Sequence, residues 1–146
     1  MPHFGLMDEQ RLEPEEAAAQ RARLHVRAGR RRLRQGKLAA GISTIYDALV
    51  SAMRWYALTH RQELHGLEQD DLENDPALFD RLTEAGVLDG TFDFDRLEKL
   101  MEKSVNRAPL EFDWQRELTA VESLLTQLGL LPFDESTLPP EDPATF

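Results

Sequence analysis

The stretch Leu38 to Leu58, LAAGISTIYDALVSAMRWYAL, constrains the fold more than any other, because its apolar residues run almost all the way round a helix. Ile42, Ile45, Leu49, Met53 and Tyr56 share one face at spacings of three and four, while Leu38, Gly41, Ala48, Ala52 and Trp55 cover a second. Only a narrow stripe through Ser43 or Thr44, Asp47, Ser51 and Arg54 is polar. A helix with two apolar faces needs partners on both, so the sequence predicts an all-α, up-and-down bundle with this helix at its centre. Ala48 and Ala52 are small enough to let neighbouring helices come close.

The remaining elements follow from punctuation. Pro14 suits the first turn of a helix whose Glu15 and Glu16 complement the positive pole, and Gly36 is its expected stop. That first helix has only a thin apolar edge, which predicts one-sided burial. The central helix is expected to run past Leu58 through His60 to about Leu64, ending near Gly66, and the acidic run Leu67 to Asp75 reads as a loop. Asp75 as N-cap, Pro76 in the first turn and Gly86 as stop bound a short third helix. Asp93 or Asp95 caps a fourth, with Phe94, Leu97, Leu100, Met101 and Val105 as its buried stripe. After the break at Asn106 to Pro109, Asp113 caps a fifth that Gly129 closes. The organisation is thus a lead-in over residues 1–13, a bundle of four to five helices over 14–129 and an extended, acidic, proline-rich tail over 130–146.

Composition narrows the chemistry. No cysteine is present, which removes disulfides, thiolate metal sites and thiol nucleophiles. No apolar run approaches membrane-spanning length and no signal-like segment opens the chain, so the expectation is a soluble, cytoplasmic protein without membrane association. Glycine-rich phosphate loops, nucleophile elbows and HExxH zinc signatures are missing, and nothing calls for a cofactor. His60 and His65 flank Glu63 at a spacing of five, which diverges by about 140° on a helix, so no metal site is predicted.

Charge is divided unevenly. Residues 1–37 hold nine Lys/Arg against five Asp/Glu, a net of +4, whereas the remainder carries −14. Arg21 to Lys37 contains eight basic residues and no acid, which makes Arg30, Arg31 and Arg34 candidate binding residues. A basic-helix nucleic-acid binder is one reading. The acidic remainder repels polyanions, so the preferred expectation is pairing of these arginines with carboxylates of the acidic loop Glu68 to Asp75, the tail or a partner.

Arg54 and His60 form the candidate catalytic pair: arginine can hold a phosphate while histidine moves a proton, the requirements of a metal-independent ribonuclease. On one straight helix, however, six residues place the two side chains about 120° apart, so a helix end before His60 or pairing across a dimer is needed.

The basic first helix ending near glycine, followed by Gly41-Ile-Ser-Thr-Ile-Tyr-Asp-Ala-Leu-Val-Ser-Ala-Met-Arg-Trp-Tyr-Ala, resembles the opening helix pair of HEPN-like domains over residues 15–65. The resemblance implies a four- or five-helix bundle, often dimeric, that partners nucleotidyltransferases or cleaves RNA. It also implies a catalytic arginine followed four to six residues later by histidine, a spacing that Arg54 and His60 satisfy. The functional expectation is a noncatalytic bundle that self-associates as a homodimer and binds a protein or nucleotide-linked partner; the alternatives are the ribonuclease and the nucleic-acid binder.

Overall fold

The computed structural model describes residues 12–146, and the first eleven, which include most of the expected lead-in, lie outside the described residues. Helix α1 spans Pro14–Arg34 and α2 spans Leu38–Thr59, joined through Gly36, whose φ of 78° only glycine adopts without strain. The two helices are notched into each other. A Cβ on Gly29 would lie 2.5 Å from Ile45 Cδ1, and one on Gly41 would lie 2.5 Å from Leu33 Cδ2, so a large side chain from each helix fills the space that glycine leaves on the other.

The later helices are shorter: α3 Gln69–Glu73, α4 Asp75–Glu84, α5 Phe94–Val105 and α6 Trp114–Gln127. Helix α2 packs against α1, α4, α5 and α6, and the described residues contain no strand, so the fold is an all-α assembly built around α2 as its sequence requires. Ile42, Leu49, Met53, Ala48 and Ala52 are all fully buried, so both apolar faces of α2 are covered. Leu78, Leu82, Leu97, Leu124 and Leu125 complete the core from α4, α5 and α6.

Several expectations are corrected. The acidic run was expected to be a loop but contains α3, because the Asp71 carboxylate accepts the Glu68 backbone N–H at 2.9 Å and Leu72 is buried. That gives six α-helices among the described residues, against four to five expected. The N-cap of α4 is Asn74, which accepts from the Ala77 N–H at 3.0 Å, and Asp75 is thereby left to other partners. Burial of α1 is not one-sided: Leu24, His25, Val26, Ala28 and Gly29 are buried on successive sides of the helix. Helix α2 stops at Thr59 and gives way to a 3₁₀ turn over Arg61–Glu63. Val105 is 67% exposed rather than part of the α5 stripe, since it is the last residue of the helix.

Beyond α6, Leu130 and Leu138 are buried and two 3₁₀ turns, Glu135–Thr137 and Pro143–Thr145, are opened by Asp134 and Asp142. Among the described residues no helix is long and apolar enough to cross a membrane.

Candidate functional site

The polar stripe of α2 does not simply face water. Thr44 and Ser51 are buried, and Thr44 Oγ1 donates to the Ala40 carbonyl at 2.6 Å while accepting from Arg32 of α1 at 2.9 Å. Two turns before Arg32 on α1, the buried His25 lies with Nδ1 2.7 Å from the Arg21 carbonyl. A carbonyl only accepts, so Nδ1 carries the proton, and Nε2 is turned toward Asp47 at 3.9 Å.

Further along, Arg54 Nε donates to the Leu72 carbonyl at 3.1 Å and its Nη2 lies 3.4 Å from Asp75 Oδ1. Tyr46 donates to the other oxygen of Asp75 at 2.8 Å. Asp75 therefore divides its carboxylate between a phenol and a guanidinium and ties α2 to the α3–α4 junction. Burial, then the Asp75 hydrogen bond and charge, lift the Tyr46 phenol far above its ordinary range, so at neutral pH it is a fixed donor and not a base. Asp47 is raised by burial and by Asp75, against Arg21 and Arg54, although 54% of its side chain remains exposed at the mouth of this crowded seam. Glu98 is raised for similar reasons, burial first and then the Asp75 charge. Among the described residues no group of three or more His, Cys, Asp or Glu is placed to hold a metal ion.

His60 lies elsewhere. It is the C-cap of α2, stacked on the Tyr56 ring at 4.0 Å, with Nδ1 3.0 Å from the Tyr56 carbonyl and 2.8 Å from Thr59 Oγ1. The shallow cleft it lines with Leu58, Thr59, Arg61, Gln62 and Glu63 does not include Arg54. No hydrogen bond or ion pair among the described residues joins Arg54 to His60: one is anchored at the α3–α4 junction, the other on its own helix end.

The basic end of α1 is organised around carboxylates. Arg30 pairs with Glu122 of α6, its Nε donating at 2.8 Å. Arg31 Nε faces both oxygens of Glu141 at 3.3 Å, and its guanidinium stands 4.5 Å above the Phe146 ring. The Nη2 atoms of Arg31 and Arg32 both donate to the Thr145 carbonyl, at 3.3 and 3.4 Å. Desolvation, with the neighbouring Arg31 charge, lowers the Arg32 guanidinium from its usual value. Arg34, the third candidate, is exposed at the last position of α1 and is not brought into this arrangement. The tail thus supplies one of the expected carboxylates, Glu122 supplies an unexpected one, and the acidic loop engages Arg54 through Asp75 and Arg81 through Asp71.

Sequence reasoning missed His25, Arg32, Tyr46 and Asp75. One signal was present: His25 and Asp47 are equally distant from Gly36, so folding the chain at that turn brings them level, each residue contributing about 1.5 Å of rise. No family model matches the chain, and comparisons with curated proteins and with solved structures return no match.

Proposed function

We propose that this chain is a noncatalytic helical-bundle protein of HEPN-like kind that binds a protein or nucleotide-linked partner, such as a nucleotidyltransferase, and self-associates as a homodimer. The observation that carries the reading is the separate commitment of Arg54 and His60. Arg54 is occupied by the Leu72 carbonyl and Asp75, where it fastens α2 to α3 and α4, and His60 is held by its Nδ1 and its ring at the end of α2. A phosphate-holding arginine and a proton-moving histidine must meet at one reacting atom, and within one chain these two do not. Self-association is supported by half-buried Trp55, Tyr56, Phe112 and Trp114 at the margin of the core.

Three measurements test this. Single-stranded RNA incubated with the protein and a chelator should remain intact, and Arg54→Ala should lower the urea midpoint without any RNA phenotype. Cleavage that both Arg54→Ala and His60→Ala abolish would replace the reading with a ribonuclease. Light scattering should give twice the chain mass at high micromolar concentration, and a strictly monomeric mass removes the dimer.

A further inference from the structure

We infer that the C-terminal end of α1 is a receptor for an acidic, aromatic-bearing peptide, and that residues 141–146 of the same chain occupy it. The inference rests on the partner-binding reading above and names the chemistry of a partner.

The contact has the composition of a recognition site more than of a surface ion pair. Arg31 and Glu141 retain only 16% and 14% side-chain exposure, so the pair is largely withdrawn from solvent, where charge complementarity counts most. The same guanidinium that takes the carboxylate edge-on places its face over Phe146, a cation–π arrangement. Arg31 and Arg32, consecutive on a rigid helix, converge on one backbone carbonyl, that of Thr145. Carboxylate, carbonyl and ring are presented together because Asp142 accepts the Ala144 N–H at 2.9 Å and sets up the turn Pro143–Thr145. Arg31 is held ready in turn by Gln35, which accepts from its Nη1 at 3.2 Å.

The occupant is separable from the fold. None of residues 141–146 belongs to the apolar core cluster, Phe146 keeps 53% exposure, and Pro139 and Pro140 precede the segment, so it adds no side chain to the core. The receptor, by contrast, is part of α1. A partner carrying a glutamate five residues before a phenylalanine offers the same three groups. A tethered segment competes at an effective concentration of about millimolar, so the apparent Kd for a partner in trans is multiplied by one plus the closing constant of the segment.

The test uses a labelled peptide of residues 134–146, followed by anisotropy, and three full-length chains: wild type, Glu141→Gln/Phe146→Ala, and that double variant with Arg31→Ala added. The double variant should bind the peptide at least about tenfold more tightly than wild type, and adding Arg31→Ala should return the affinity to the wild-type level or below. Equal affinity for wild type and double variant, binding that ignores Arg31→Ala, or a double variant that takes up single-stranded RNA in place of the peptide would each overturn the inference. Should the double variant lose helicity, amide hydrogen exchange in the Arg31→Ala single variant decides. Faster exchange confined to residues 141–146 supports the receptor, and unchanged exchange there overturns it. The RNA-cleavage and light-scattering measurements are made on the chain without these substitutions, so failure here is distinguishable from failure of the noncatalytic reading.

Discussion

In the α1–α2 hairpin, two helices of 21 and 22 residues carry no side-chain hydrogen bond at either N-cap, whereas α4, α5 and α6, of 10, 12 and 14 residues, each begin with one, from Asn74, Asp93 and Asp113. The difference follows from how each region is stabilised. A long helix with a continuous apolar interface spreads the cost of its orphan N–H groups over many buried contacts. A helix of three turns has few such contacts, and a cap worth about 1 kcal/mol is then a large share of its stability. The hairpin is specified by shape, through Gly29 receiving Ile45 and Gly41 receiving Leu33. The later helices are specified at their ends, and each offers a narrow apolar stripe to a core already templated by α2.

The largest expected effect is in the hairpin. Ala52 is fully buried on α2, and Ala52→Phe should overpack the core by about 3 kcal/mol, seen as a lower urea midpoint. An unchanged midpoint would mean that α2 is not closely packed on that face. Gly41→Ala comes next, because its Cβ would sit 2.7 Å from Leu33 Cγ and 3.2 Å from the Leu33 backbone nitrogen, which cannot easily give. Overpacking of about 1–3 kcal/mol is offset by about 1 kcal/mol of helix propensity, so the midpoint should still fall; a rise would show that propensity outweighs shape even here. Asp113→Ala removes the acceptor for the Arg116 N–H at 3.2 Å and should cost about 1 kcal/mol. Loss of protection should be concentrated in the first turn of α6, and hydrogen exchange reads it directly. Val105→Ser should stay within about 0.5 kcal/mol, since the side chain is already in water. A larger loss would place Val105 in a contact that the single chain does not show.

Much of the fold was legible because its signals are local. Pro14, Gly36, Gly86, Asp93, Asp113 and Gly129 act within a turn of where they stand, and the two-faced apolar pattern of Leu38 to Leu58 leaves no place for that helix but the middle. Local signals failed where two residues competed for one role. Asp75 and Asn74 can both cap α4; Asn74 does so, while Asp75 is taken by Tyr46 and Arg54, which are distant in sequence. The charge asymmetry likewise indicated that Arg30 and Arg31 would meet carboxylates, but Glu122 is 92 residues from Arg30 and Glu141 is 110 from Arg31, and no periodicity links such positions.

By itself, then, the sequence determined the helical class, the centrality of α2, the turn at Gly36 and the absence of thiol chemistry, because each depends on short-range sterics, hydrophobic periodicity or residue type alone. Only the tertiary structure decided that Arg54 and His60 serve different parts of the fold, that His25 faces Asp47, and that Glu141, Thr145 and Phe146 converge on the end of α1. Those relations depend on the angle and register at which helices cross, which packing of whole faces sets and which no single stretch of chain encodes.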